Sequence, residues 1–206
     1  MLDRLGIIGY SGHSYVVIEA ALLSNIEILG YFDKNELQNN PYNLTYLGNE
    51  NTFDFESQSK LNCIIGIGDN IIRRRIYLNN KDKITYCNII HPNSQISKTI
   101  KMGIGNFVNV NASVNALVEI GNHCIVNTGC IIEHECKIDN FVHIAPGAVL
   151  AGNVEVGKGS FIGANSVVKQ GIRIGENVII GAGSVVIRDL PDNSKVAGNP
   201  SKSLIS

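Results

Sequence analysis

The chain has 206 residues, with 17 Lys and Arg against 18 Asp and Glu and a net charge of −1. That balance excludes the basic surface by which nucleic acid or an anionic membrane is captured electrostatically. With 21 glycines, no Trp, 6% aromatic residues and five cysteines that form no CxxC pair, the composition describes a narrow core with many tight turns and no disulfide framework.

The opening, "MLDRLGIIGYSGHS", lacks the basic region and long apolar core of a signal peptide. No apolar run approaches the roughly 20 residues of a membrane helix. The expectation is a soluble cytoplasmic protein. "RLGIIGY" reads as a short apolar strand, "SYVVIEAALLSN" as a helix, and "IEILGYFD" as a second strand. The polar, Asn-rich segment 34–57 reads as loop and edge structure. "LNCIIGIG" is a third strand, and "DNIIRRRIYLNN" a second helix with Asp69 as its N-cap. This order predicts a small Rossmann-like parallel sheet with helices on it, over residues 1–88.

From residue 89 to 206 the period changes. Counting by sixes from Ile90 gives Ile96, Met102, Val108, Val114, Ile120 and so on to Val186, every one aliphatic or Met. Small or apolar residues recur four places later, among them Ala112, Cys124, Cys130, Cys136, Ala148 and Ser184. A strict period of six is the pattern of a parallel β-helix, in which each hexad makes one short strand and one turn. The six-residue spacing of Cys124, Cys130 and Cys136 suggests a metal triad at first sight. They hold the small-residue position of the repeat, one per side of the coil, so buried inert thiols and no metal site are expected.

Within the repeat, "IEHECKIDNFVHIAPG" carries His134, Glu135 and His143. A lone histidine at a turn would read as surface polarity; against that reading stand the adjacent acid and the second histidine nine residues later. The hexads resemble those of the hexapeptide acyltransferases. The resemblance implies a left-handed β-helix with 18 residues per coil and a trimeric assembly; the usual crossover rule would favour the other hand. The run Ile132-Glu133-His134-Glu135-Cys136, with Ile138, Phe141 and His143, is similar to the amino-sugar acetyltransferases of bacterial glycan synthesis and their sialic acid O-acetyltransferase relatives. So are the opening "IIGYSGHS", the strand end "YFDK", "IGIGDNIIRRRIY" and the closing "VAGNPSK". Ser14 and Ser201 depart from that pattern, where Gly and Ala are common.

The resemblance implies that His134 is the general base for attack of an amine or hydroxyl on the thioester of acetyl-CoA, with Glu135 orienting the ring. An imidazole ordinarily titrates near neutrality, which suits the role. Direct transfer needs no acyl-enzyme and no metal. It further implies that His143, Gly163, Ala164, Gly181 and Ala182 contact acetyl-CoA. Ser11, Gly12, His13, Asp33, Lys34 and Gly68 would bind a nucleotide-linked sugar. Positions 18 apart stack, so Pro146, Ala164 and Ala182 form a column of small residues on which a pantetheine arm could lie. Tight corners explain small residues equally well. His134 and His143 are half a coil apart and so lie on different sides. A site between neighbouring protomers of a homotrimer is therefore expected, and a monomer would be inactive. The leading expectation is N-acetylation of a UDP- or dTDP-linked 4-amino-4,6-dideoxyhexose. O-acetylation of a sialic-acid-type sugar uses the same pair, and a non-catalytic trimeric scaffold is the third reading.

Overall fold

The computed structural model describes residues 4–55 and 61–204. The opening Met-Leu-Asp, the last two residues of the polar segment and the outer bounds of both expected domains lie outside them.

The first half is β1 (Arg4–Ile8), α1 (Gly12–Leu23), β2 (Glu27–Phe32), β3 (Tyr46–Gly48), β4 (Asn62–Ile65), α2 (Asn70–Asn80) and β5 (Thr85–Tyr86). The strands pair in parallel in the order β3-β2-β1-β4-β5. β1 is buried at Leu5, Ile7 and Ile8, on both faces, as a strand covered by helices on each side must be. α1 lays Val17, Ile18, Ala20 and Ala21 on the sheet. It starts two residues before its apolar run because Ser11 takes the extended backbone of an N-cap, and the Ser14 hydroxyl accepts the Ser11 N–H at 2.8 Å. Asp69 caps α2 as expected, its Oδ1 accepting the Ile72 amide at 2.8 Å. β3 lies inside the polar segment read as loop and edge structure, and is the edge strand. β5 was not expected; it is only two residues long, too short for a periodic signal.

The second half is a solenoid of two-residue strands stacked into three parallel faces. The first face runs from Ile89–Ile90 through Ile125–Val126, His143–Ile144 and Phe161–Ile162 to Ile179–Ile180, then to the three-residue strand Lys195–Ala197, on which Lys202–Ser203 closes the face antiparallel. The second runs from Gln95–Ile96 to Val185–Val186, and the third from Lys101–Met102 to Arg173–Ile174. The second residue of each strand is the expected inward one, and from Val108 to Val186 these residues form one continuous core. Ile90 is the exception. It is 39% exposed because no coil lies below it, while Ile89 turns outward into the core shared with the sheet. Cys124, Cys130 and Cys136 fill the interior, one before a strand of each face. Burial raises their pKa values to about 12, 12 and 11, so they stay as thiols.

The two halves are packed together. Leu5, Val17 and Tyr10 share a core with Ile89, Phe107 and Ile125, the outward residues of the first face. Beside this core Arg73 of α2, 1% exposed, donates to the carbonyls of His123 (2.8 Å) and Phe141 (3.1 Å) on the solenoid and to those of Ile67 and Gly68 on its own side. Burial lowers its pKa to about 10, which leaves it charged at neutral pH.

Candidate active site

His134 follows the Ile131–Ile132 strand, at the corner between the second and third faces. Its Nδ1 lies 3.1 Å from Glu135 Oε2, and both side chains are more than half exposed (52% and 59%). The pairing is made by the backbone. Glu135 has φ 62, the left-handed turn that Gly129, Gly147, Asn153 and Asn165 hold at the equivalent place in other hexads. A glutamate bears that conformation at a cost a glycine does not. With Nδ1 turned to the acid, Nε2 is the nitrogen left for a substrate. The imidazole lies against Gly152, one coil above. A Cβ there would lie 2.5 Å from its Cε1, so a side chain at 152 would displace the ring from this position. Sequence reasoning missed Gly152, although the 18-residue register leads to it from His134.

Pro146 and Ala182 are exposed and Ala164 half-buried, along the corner between the first and second faces. They form the expected column, tied by Asn165 N–H to Pro146 C=O (2.9 Å) and Gly183 N–H to Ala164 C=O (2.8 Å). Gly163 is small because its neighbour is close; a Cβ would lie 2.4 Å from the Ile180 carbonyl oxygen. Gly181 has Ala197 against it in the same way. The edge thus offers small side chains and an accessible backbone, which fits an extended pantetheine chain. The whole second face separates it from His134 of the same protomer.

His143 is not on a turn. It lies in the His143–Ile144 strand, 8% exposed, with the ring turned to the first half of the chain. Its Nδ1 is 3.2 Å from the Gly68 carbonyl and its Nε2 3.2 Å from the Asn127 amide nitrogen. The first contact makes Nδ1 the donor, and Nε2 then accepts from Asn127. The His13 ring stands 6.0 Å away. Burial first, and the Arg73 cation second, bring both pKa values down to about 4, so both rings are neutral near pH 7.

The other predicted sugar-nucleotide residues divide. Ser11, Asp33 and Lys34 line a cavity of about 270 Å³ together with Gly9, Glu50, Ile67 and Arg75. It opens at the carboxyl ends of β1, β2 and β4, where the strand order reverses, the usual ligand crevice of such sheets. Gly12 sits beside it at the start of α1 with open space around it. His13 and Gly68 instead face His143: a Cβ on Gly68 would lie 3.7 Å from His13 and 4.0 Å from His143. Ser14 changes the loop as well as capping it, since its hydroxyl occupies the Ser11 amide that an anion would otherwise use. Arg75 and Glu50 were not foreseen. Three consecutive arginines in α2 give no sign of which one faces the cavity, and Glu50 lies in the segment without periodicity. Among the described residues no group of three or more His, Cys, Asp or Glu is placed to hold a metal ion. No helix among them is long and apolar enough to cross a membrane.

A crevice at the strand-order reversal of a parallel sheet, joined to a hexad-repeat solenoid with a His-Glu corner, is the arrangement of the hexapeptide sugar acyltransferases. Residues 4–79 match the PglD N-terminal domain family and residues 153–188 the bacterial transferase hexapeptide family. The acetyltransferase domain of PglB from Neisseria gonorrhoeae, in complex with acetyl coenzyme A, is 34% identical over 98% of this chain and 99% of its own, with a TM-score of 0.91. PerB from Caulobacter crescentus, in complex with CoA and GDP-perosamine, is 31% identical over 98% of each chain, with a TM-score of 0.91. WeeI from Acinetobacter baumannii shares the fold at 23% identity, covering 98% of this chain and 100% of its own with a TM-score of 0.87. No match was found among curated protein sequences. The chain belongs to the PglD-type family of hexapeptide-repeat sugar acetyltransferases. It is an acetyl-CoA-dependent enzyme, and its solenoid is the left-handed β-helix of that family.

Proposed function

We propose that the enzyme acetylates the amino group of a nucleoside diphosphate-linked 4-amino-4,6-dideoxyhexose in bacterial glycan synthesis, in the cytoplasm. The His134–Glu135 pair, with Nδ1 held at 3.1 Å and Nε2 left over, supports base-assisted acetyl transfer, and the cavity on the N-terminal sheet carries the preference for a nucleotide-linked amine over a sialic-acid hydroxyl. His134 Nε2 takes a proton from the amine as its nitrogen attacks the thioester carbonyl. The C–N bond forms, the C–S bond breaks, and the imidazolium returns the proton to the leaving thiolate. Glu135 keeps the ring in the tautomer with its lone pair on Nε2. Backbone N–H groups at the solenoid turns are candidates to stabilise the oxyanion.

Residues 1–88 would hold the nucleotide and residues 89–206 carry out the transfer. Lys34 and Arg75, which both line the cavity, would supply cations to the diphosphate, with the start of α1 beside it. Acetyl-CoA would lie along the Pro146–Ala164–Ala182 edge, with Gly163, Gly181 and His143 behind it. The uridine or deoxythymidine expectation came from the resemblance, and PerB was crystallised with a guanine nucleotide, so family likeness alone does not fix the base.

A homotrimer with shared sites is supported by the contrast between faces. The second face turns Ile131, Val149, Val167 and Val185 outward, with Ile131 and Val167 36% and 40% exposed. The third turns out Lys101, Glu119, Lys137, Glu155 and Arg173. A second copy seated on the apolar face would bring its pantetheine edge towards His134. Thiol release from acetyl-CoA with nucleotide-linked 4-amino sugars, wild type beside His134→Ala, tests the reading. The substitution should lower kcat by about 10²–10⁴-fold with the oligomer intact; turnover unchanged in the variant would exclude His134 as the base.

A further inference from the structure

The cavity at the carboxyl edge of the N-terminal sheet contains a carboxylate with an unused acceptor. Glu50 is 6% exposed and lines the cavity. One of its oxygens, Oε1, accepts from the Asn51 side-chain amide at 2.9 Å. The other, Oε2, is buried with no hydrogen-bond partner among the described residues. A buried acceptor left without a donor is unfavourable, and native proteins rarely leave one unless something outside the chain supplies the donor.

The loop that carries Glu50 is fastened at both ends. The Asn49 amide donates to the Lys34 carbonyl at 3.0 Å, and Asp33 N–H donates to the Gly48 carbonyl at 3.2 Å. The Thr52 and Phe53 amides both donate to the Asn49 carbonyl, and the Phe53 ring packs against Phe32 and Phe55. Glu50 is therefore fixed where it is by contacts on either side of it. The cavity walls near α2 are apolar, formed by Ile67, Ile72 and Ile76, while Lys34 and Arg75 provide positive charge. Apolar walls, cations and one buried acceptor describe a site for a planar base that carries hydrogen-bond donors and leads to phosphate.

We propose that Glu50 reads the base of the nucleotide-linked sugar and selects guanine, an inference that rests on the acetyl-transfer reading above and deepens it. Guanine presents two adjacent donors, N1–H and the N2 amino group, to a single carboxylate. Uracil and thymine present one N–H between two carbonyl oxygens, which a carboxylate repels. Adenine and cytosine place a ring lone pair beside their amino group. Only guanine satisfies Glu50 without setting an acceptor against it. This runs against the uridine or deoxythymidine expectation of the sequence.

The test is calorimetric titration of the full chain with GDP, inosine diphosphate, UDP and dTDP, on wild type and on Glu50→Gln. GDP should bind at least about tenfold more tightly than UDP or dTDP, and inosine diphosphate, which lacks the N2 amino group, should lose about tenfold against GDP. Glu50→Gln should bring GDP and inosine diphosphate to within about twofold of each other. If that variant does not fold, the comparison of GDP with inosine diphosphate on wild type still decides the matter, because it alters only the ligand. Equal binding of those two, or tighter binding of UDP or dTDP, overturns guanine selection and leaves acetyl transfer to a nucleotide-linked sugar standing. If no nucleotide binds, yet acetyl-CoA is consumed with an unlinked amino sugar, the nucleotide-linked reading itself falls and takes this one with it.

Discussion

Glu135 stands at a turn position that other hexads fill with glycine, asparagine, Leu117, His123 or Phe141, all with positive φ, and its own φ of 62 goes with a carboxylate turned to His134. Left-handed backbone costs a non-glycine residue about 1–3 kcal/mol, while glycine adds about 0.5–1 kcal/mol of unfolded-state entropy. Glu135→Gly should therefore raise the thermal midpoint slightly and lower kcat, a divergence that calorimetry and thiol release would read on the same sample. A fall in both would mean that the strain is absent or offset. Gly152 acts on the same imidazole from above. Gly152→Ala places a methyl group 2.5 Å from His134 Cε1, so the ring must move. A displacement of that order should cost about a hundredfold in kcat, with KM for the sugar nucleotide unchanged. A wild-type kcat in this variant would show that the ring position is not critical. The acid beside His134 was legible as a two-letter motif. Gly152 was not, since a glycine in a sequence with 21 of them is conspicuous only once the coil register is applied.

The three faces of the solenoid differ more outside than inside. On the third, Lys101 pairs with Glu119 at 2.7 Å, and Glu155 lies between Lys137 (3.4 Å) and Arg173 (3.3 Å). These pairs are exposed, so Glu155→Ala should change unfolding free energy by less than about 1 kcal/mol. The inward residue of a middle coil is another matter. Ile144 is fully buried, and Ile144→Ala should cost about 2–5 kcal/mol in urea denaturation. Comparable losses from the two substitutions would mean that the charge ladder, and not the core, holds the coils together. The inward positions were legible because a period of six leaves little choice of which residue faces the axis. Ile90 was misread because periodicity says nothing about where a stack ends. β3 and β5 were missed because three- and two-residue strands are fixed by the neighbours they pair with rather than by their own pattern.

At the scale of the whole molecule, the two halves meet around a buried cation and three neutral imidazoles. His13, His123 and His143 all have pKa values near 4, lowered first by burial and second by Arg73. His123 is fully buried, with neither ring nitrogen hydrogen-bonded among the described residues, and stacks on Phe141 at 5.3 Å. Between the ordinary histidine pKa of about 6.5 and 4 the unfolded chain binds more protons than the folded one, so stability rises with pH across that window. It is fully present above about pH 6.5 and is lost as pH falls through 4. The thermal midpoint should drop over this range, and less steeply in His123→Phe; identical slopes would remove His123 from the effect. None of this was legible beforehand, because a run of three arginines does not reveal that Arg73 is the one turned inward. The register that stacks the hexads also limits how such a chain can change. Each coil closes after 18 residues, as Lys101 beneath Glu119 shows. Loss or gain of a single hexad between Glu135 and Pro146 would rotate every later column by one face and carry the Pro146–Ala164–Ala182 edge away from its place relative to His134. Descendants of this gene are free to lengthen there only by whole coils, whereas beyond Ala182 the active corner sets no such rule.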